Sequence, residues 1–243
     1  MDESRRTLLG LAGVASASIA VAGIAGCRRG ASREGSTEKQ GTSEKECANE
    51  NEVLPVEDLM REHGVLRRIL LVYDEASHRL DRGEDLAPEV LTQSADVVRR
   101  FVEDYHERLE EDYLFPRFQS AGKLVDLTMV LKQQHEAGRR ITQQVQLVTA
   151  TTLRDATARR ALSDQLRAFV RMYRPHAARE DTVLFPALHG IVSWHEYDAL
   201  GDDFEAKEKQ LFGANGFADM VGRVDSIERA LGIESLADFT PSH

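Results

Sequence analysis

The fold is decided by an eleven-residue pattern that the chain contains twice, as HERLEEDYLFP at residues 106–116 and as HAAREDTVLFP at residues 176–186. In each copy a histidine precedes a glutamate by four positions, so on an α-helix the imidazole and the carboxylate lie on one face. These residues are His106 and Glu110 in the first copy, and His176 and Glu180 in the second. Such a spacing is typical of metal ligands carried by a helix.

Each copy also has a single histidine upstream at a matching distance. His63 lies 43 residues before His106, and His135 lies 41 residues before His176. The chain is therefore interpreted as a duplicated unit whose two copies supply four helices, four imidazoles and two carboxylates. Imidazole suits iron, zinc, copper or nickel, whereas carboxylates that can bridge favour a pair of iron or manganese ions.

Apolar periodicity places these histidines on stripes that face a core. In the last ligand helix, His176 and Glu180 share a stripe, in steps of four and three, with Leu162, Leu166, Phe169, Tyr173, Val183 and Ala187. An ionised carboxylate on such a stripe is costly unless a positive charge compensates it, and a bound metal supplies that charge. One histidine alone on an apolar stripe is more often a core residue than a ligand. Six ligand-type residues with a repeated spacing favour a two-metal centre.

These residues make the chain resemble the hemerythrin superfamily, specifically its bacterial His-His-Glu cation-binding branch, from Val56 to Leu188. The resemblance implies an all-α, up-down-up-down four-helix bundle around a non-haem diiron site. It implies that His63 and His106 hold one iron, that His135 and His176 hold the other, and that Glu110 and Glu180 bridge both with an oxo or hydroxo group. Small diatomic molecules or peroxide are the ligands that it implies.

The sequence leaves three classes of function open. The first is a redox protein that reacts with oxygen, peroxide or nitric oxide at the iron pair. The second is a non-catalytic protein that binds or senses oxygen or iron, and the third is a structural bundle with adventitious metal. Because the sequence shows no obvious general acid, general base or electron-transfer partner, it does not separate the first two classes.

Arg139 departs from the pattern of oxygen-carrying hemerythrins, which have a further histidine one turn after the third-helix ligand. A guanidinium stays protonated and cannot ligate iron, so the departure predicts open metal positions. The set more closely resembles the iron-centre repair proteins and the hemerythrin domain of the F-box iron sensor, in which a residue matching Glu107 is an extra ligand. Arg139 either holds an anionic ligand near the metals or extends to Glu136 or another surface acid.

The chain begins with a second motif, in which Arg5 and Arg6 precede an apolar run of small residues that ends at Cys27. Paired arginines are typical of twin-arginine export signals, and the run ending in cysteine resembles a lipoprotein processing box. We therefore predict a leader over residues 1–26, lipid on Cys27, a polar tether over residues 27–54, and a membrane-anchored protein of the cell envelope. The alternative is an uncleaved membrane anchor, since the nineteen residues from 8 to 26 nearly reach a spanning length.

The rest of the chain is predicted to form two regions, a metal-binding bundle over residues 55–190 and a C-terminal helical extension over residues 191–243. The extension contains two amphipathic segments, 194–212 and 217–231, expected to pack across the bundle or to form a partner surface. The net charge of −10, without a basic aromatic-bearing patch, argues against nucleic acid as a partner. Four other histidines are excluded as ligands, namely His78, His189, His195 and His243.

Prolines mark the predicted helix boundaries. Pro55 and Pro88 stand where a helix begins, whereas Pro116 and Pro186 are expected to end the two ligand helices. Pro175 falls inside the fourth ligand helix, where it removes one backbone hydrogen bond.

Overall fold

The computed structural model describes residues 54–241, and this part of the chain is helical without any strand. It contains seven helices. They are α1 (Pro55–Arg82), α2 (88–120), α3 (Val125–Gln146), α4 (Ala150–Arg154), α5 (156–188), α6 (Trp194–Phe212) and α7 (Gly216–Leu231). A short 3₁₀ turn, Leu236–Phe239, follows α7.

The N-terminal predictions fall outside the described residues. These are the leader, the tether up to residue 53 and the lipidation site Cys27. Among the helices between residues 54 and 241, none combines the length and the apolar character that crossing a bilayer requires.

The helix starts agree with the sequence. Pro55 and Pro88 are the first residues of α1 and α2, where a proline loses no hydrogen bond because the first amides of a helix have no intrahelical acceptor. Gly83 ends α1 at φ 70°, a left-handed conformation that glycine adopts without steric cost. Ser193 and Glu196 form a capping box that starts α6, so this helix covers the predicted segment 194–212.

The two helices that carry a histidine and a glutamate contain π-helical segments. In α2 these are Val98–His106 and Glu110–Leu114, and in α5 the segment is Glu180–Leu184. The prediction that Pro116 and Pro186 end these helices is wrong, because both helices continue past the proline. Each proline is the second residue after a π segment, where the backbone bonds change register, so its missing N–H does not interrupt a regular α ladder.

The ligand helices form a closed bundle. Helix α1 packs against α2, α2 against α3, α3 against α5, and α5 returns to α1. Short connections join α1 to α2 and α2 to α3, as in an up-down-up-down bundle, while α4 lies in the connection from α3 to α5. The structure confirms the predicted all-α bundle.

The two C-terminal helices pack across the bundle, as predicted. Helix α7 lies against α1 and α2, and α6 lies against α1. On α1, Arg68 donates from Nε to Oε1 of Glu228 at 2.9 Å, and Arg79 donates to the carbonyl oxygen of Leu231 at 2.7 Å. These contacts fix α7 over the outer side of α1, so the extension covers two of the four ligand helices.

Candidate metal centre

The six predicted ligands converge in the interior of the bundle. Helices α1 and α3 each contribute one histidine, whereas α2 and α5 each contribute a histidine and the glutamate one turn later. Each of the six residues is at most 4% exposed: His63, His106, Glu110, His135, His176 and Glu180. The helical spacing read from the sequence therefore does place imidazole and carboxylate together in the core.

The histidines meet in two pairs through their Nε2 atoms. The Nε2 atoms of His63 and His106 are 3.1 Å apart, and those of His135 and His176 are 3.2 Å apart. Two nitrogen ligands of one ion, each about 2.1 Å from it and at a right angle, are about 3.0 Å apart. Each pair thus has the separation that a shared metal ion requires.

The two glutamates lie between the pairs. Glu110 has one oxygen 3.7 Å from Nε2 of His106 and the other 3.4 Å from Nε2 of His135. Oε2 of Glu180 lies 3.3 Å from Nε2 of His63 and 3.1 Å from Nε2 of His176. Each carboxylate therefore contacts one histidine of each pair, which is the arrangement of a bridging ligand.

The two carboxylates that lie between the histidine pairs lack ordinary hydrogen bonds. Among the described residues, all four carboxylate oxygens of Glu110 and Glu180 are buried and accept none. A buried carboxylate without donors is strongly unfavourable unless a cation compensates it. Four imidazoles and two orphaned carboxylates are a donor set that suits iron, so the residues present fit a pair of metal ions.

The electrostatics of the two glutamates differ. Burial and the neighbouring charge of Glu180 raise the pKa of Glu110 well above its ordinary value. Burial acts in the same direction on Glu180, but His176 and His63 beside it hold the pKa of Glu180 well below the usual range. The ionised form of Glu110 therefore needs a positive charge, which a proton or a metal ion supplies, whereas the two histidines beside Glu180 already stabilise its ionised form.

Burial also favours the form of imidazole that binds metal. It lowers the pKa of His106 well below its ordinary value, and it lowers that of His135 despite a hydrogen bond to Glu111. Both rings are therefore neutral near pH 7 and bind a cation without first losing a proton. For His63, burial is outweighed by the hydrogen bond to Asp181 and by the negative charge of Glu180, so the pKa is raised.

Sequence reasoning missed the four residues that orient the imidazoles through Nδ1. Each histidine directs Nε2 to the centre and has a polar side chain from another helix at Nδ1. The partners are Asp181 for His63 (2.7 Å), Glu62 for His106 (2.6 Å), Glu111 for His135 (3.0 Å) and Gln134 for His176 (2.9 Å). Such outer partners fix the orientation and tautomer of a metal-binding histidine. The signal in the sequence was adjacency, since each partner is next to a ligand in the chain.

Arg139 has a different role from either predicted one. Its Nη2 lies 2.8 Å from Oε2 of Glu107 and 2.7 Å from Oε1 of Glu111. Because its charge faces these two carboxylates, it neither extends to Glu136 nor stands free to hold an anion at the metals. Through Glu111 it supports His135 indirectly.

Glu107 is buried rather than on the helix surface. It is 1% exposed, and it accepts a hydrogen bond of 2.7 Å from the hydroxyl of Tyr173. Burial raises the pKa of Glu107 to about 8, although Arg139 and Tyr173 oppose the shift. Hydrogen bonds from His135 and Arg139 instead overcome partial burial and lower the pKa of Glu111 to about 2. Glu107 is thus engaged by Tyr173 and Arg139, and it also offers an oxygen within 4.8 Å of ligand atoms of Glu111 and His135.

The excluded histidines that the structure describes lie apart from this centre. The ring of His189 packs against Trp194 and Tyr197, with centroids 5.4 and 4.3 Å apart, and His195 is exposed on α6. Within residues 54–241, the groups of side chains that could hold a metal ion contain none of His78, His189 and His195.

The fold and the site define a helical-bundle metal-binding protein. The model of the hemerythrin HHE cation binding domain matches residues 54–188 and 126–229. The chain therefore belongs to the hemerythrin HHE family, whose domains bind a metal, typically iron.

Similar curated proteins occur in mycobacteria. An uncharacterized protein of Mycobacterium tuberculosis strain H37Rv is 48% identical over 187 residues, which cover 76% of this chain and 73% of that protein. An uncharacterized protein of Mycobacterium bovis gives the same values. No solved structure matches the chain.

Proposed function

We propose that the protein is an exported, membrane-tethered, non-haem diiron protein that binds or reacts with oxygen, peroxide or nitric oxide. The observation that carries the proposal is the pair of orphaned carboxylates, Glu110 and Glu180, each lying between two histidine pairs whose Nε2 atoms are 3.1 and 3.2 Å apart. A bound iron pair supplies redox electrons and open positions for a small ligand.

The chain prepares this site in three ways. Hydrogen bonds at Nδ1 fix the four imidazoles, so that they are oriented before an ion arrives. Burial of all six ligands excludes water and strengthens electrostatic contacts inside the cavity. At the place of a fifth histidine, Arg139 is engaged by Glu107 and Glu111, which leaves the third-helix side of the site with one imidazole.

Metal stoichiometry tests the diiron assignment. The protein is expected to bind two irons per chain after anaerobic reconstitution with Fe²⁺, as measured by elemental analysis. His106→Ala is expected to lose the pair, because it removes one ligand and leaves Glu62 without its partner. His195→Ala, which changes an exposed histidine on α6, is the matched control and keeps both ions. One zinc per chain in the native protein overturns the assignment.

Optical spectroscopy separates reaction from reversible binding. The reduced protein is followed anaerobically and then after addition of oxygen. A spectral change that reverses when oxygen is removed supports a carrier or sensor, whereas rapid irreversible oxidation supports a redox enzyme. The absence of a fifth histidine in the ligand set leads us to expect the irreversible outcome.

The cellular location is part of the proposal and is supported by the sequence alone. Arg5 and Arg6 before an apolar run that ends at Cys27 are the features that support export and lipidation. Twin-arginine export carries folded proteins, which suits a protein whose metal ligands come from four separate helices.

A further inference from the structure

The outer partners of the four histidines follow the sequence duplication. In the first half, Glu62 precedes the ligand of α1 and holds the ligand of α2, His106, at 2.6 Å. In the second half, Gln134 precedes the ligand of α3 and holds the ligand of α5, His176, at 2.9 Å. The positions are equivalent, but a carboxylate in one half is replaced by an amide in the other.

The remaining two partners are exchanged between the halves. Asp181, which follows the bridging Glu180, holds His63 at 2.7 Å, and Glu111, which follows the bridging Glu110, holds His135 at 3.0 Å. Here both partners are carboxylates. The His63–His106 pair is thus supported by two carboxylates, whereas the His135–His176 pair is supported by one carboxylate and one amide.

This difference changes the strength of the imidazole ligands. A carboxylate that accepts the Nδ1 proton increases the negative charge available at Nε2, and it interacts favourably with a bound dication. A neutral amide oxygen accepts the same hydrogen bond but carries no formal charge. The first pair is therefore the stronger ligand set for a divalent ion.

Neighbouring arginines increase the difference in ligand strength between the two histidine pairs. Asp181 is paired with Arg67, whose side chain is 47% exposed, so solvent screens that charge. Glu111 is paired with Arg139, whose side chain is 17% exposed, so its charge acts more strongly on the second pair. The partners at Nδ1 remain the main cause of the asymmetry.

We propose that the two metal positions are unequal, with His63 and His106 binding the first divalent ion and His135 and His176 forming the weaker position. This inference rests on the proposed two-metal function. When iron is limiting, the chain then carries a single ion, and the weaker position is the one that gains or loses metal as iron supply changes. The weaker position is also the one adjacent to Arg139.

Anaerobic titration of the full chain with Fe²⁺, followed by equilibrium dialysis and elemental analysis, tests the proposal. The wild type is expected to fill in two steps that differ in affinity by about tenfold or more, the range in which outer partners act on metal affinity. Glu62→Gln is expected to weaken the stronger step by about ten- to a hundredfold, and Gln134→Glu to strengthen the weaker step. Glu136→Gln, which changes an exposed glutamate beside His135, is the control and leaves both steps unchanged.

The outcomes separate the inference from the proposed function. Two equal steps, or a Glu62→Gln variant in which only the weaker step changes, overturn the inequality while leaving the iron pair intact. A single ion at saturation in the wild type overturns the diiron function itself. Circular dichroism of each variant confirms that the bundle is folded, and if Gln134→Glu fails to fold, the response of Glu62→Gln alone decides.

Discussion

Replacing Gly138 by alanine tests how the buried tyrosine next to the site is held. A Cβ atom at Gly138 would lie 2.0 Å from the hydroxyl oxygen of Tyr173 and 2.8 Å from two of its ring carbons. Ordinary contact begins at 3.4 Å, so the hydroxyl must move by at least about 1.4 Å. Tyr173 is fully buried, and its ring centroid lies 4.4 Å from that of Phe169 and 5.1 Å from that of His176, so the ring cannot retreat freely.

The expected loss of stability follows from three contributions. Overpacking of a core costs about 1–3 kcal/mol. Displacing the hydroxyl breaks its 2.7 Å bond to Glu107, which costs about 1.5–3 kcal/mol for a bond to an ionisable group. Alanine favours the helix over glycine by about 1 kcal/mol, which offsets part of the cost. The free energy of unfolding is therefore expected to fall by about 1.5–5 kcal/mol.

Urea unfolding of the metal-free protein, followed by circular dichroism, measures this loss. The matched control is Gly222→Ala on α7, where a Cβ meets no atom within 4 Å and the variant is expected to gain about 1 kcal/mol. In a Tyr173→Phe background, Gly138→Ala is expected to cost less, because the closest contact is absent. If Gly138→Ala stabilises the protein as Gly222→Ala does, Tyr173 does not lie across Gly138 and its bond to Glu107 is refuted.

Three further predictions concern charge, metal and location. Arg139→Leu is expected to lower the free energy of unfolding by about 3 kcal/mol, because Glu107 and Glu111 lose a shared cation. The control, Arg140→Leu, changes an exposed side chain and is expected to alter it by less than about 0.5 kcal/mol. Equal urea midpoints for the two variants contradict the ion pairs. Removal of metal by a chelator is expected to lower the melting temperature, because an ion present at a thousand times its Kd adds about 4 kcal/mol to the free energy of unfolding. An unchanged calorimetric transition argues against a bound ion. Cys27→Ala is expected to give an exported chain without lipid, and mass spectrometry that finds the leader intact on the membrane-bound wild type supports the uncleaved anchor instead.

The sequence predicted which six side chains converge because each is placed by its own helix. The four-residue step from His106 to Glu110, and from His176 to Glu180, requires only helical periodicity, and the apolar stripe shows which face is buried. The duplication then indicates that the helices meet. The order of the four bundle helices and the two C-terminal helices therefore followed from local pattern, whereas the short α4 was not predicted.

What the sequence did not predict depends on contacts between helices. Glu62 is adjacent to His63 but holds His106, and Asp181 is adjacent to Glu180 but holds His63. Which neighbour a polar side chain reaches depends on the rotation of one helix against another, which a periodic pattern does not specify. The sequence pattern also did not predict the π segments that begin at Glu110 and Glu180. Because the backbone bonds change register in these segments, the prolines that follow do not end their helices.

Two of the four histidines are oriented by a residue from the other half of the chain, and this determines when each can be oriented during synthesis. When α1 and α2 have been synthesised, His63 and His106 are present, but Asp181, which orients His63, belongs to the last ligand helix. Likewise, Glu111 on α2 is synthesised before its partner, His135 on α3. Neither half of the chain contains all the partners of its own histidines, so the orienting contacts are complete only when the two halves have packed together. A nascent chain released before residue 181 lacks the carboxylate that orients His63.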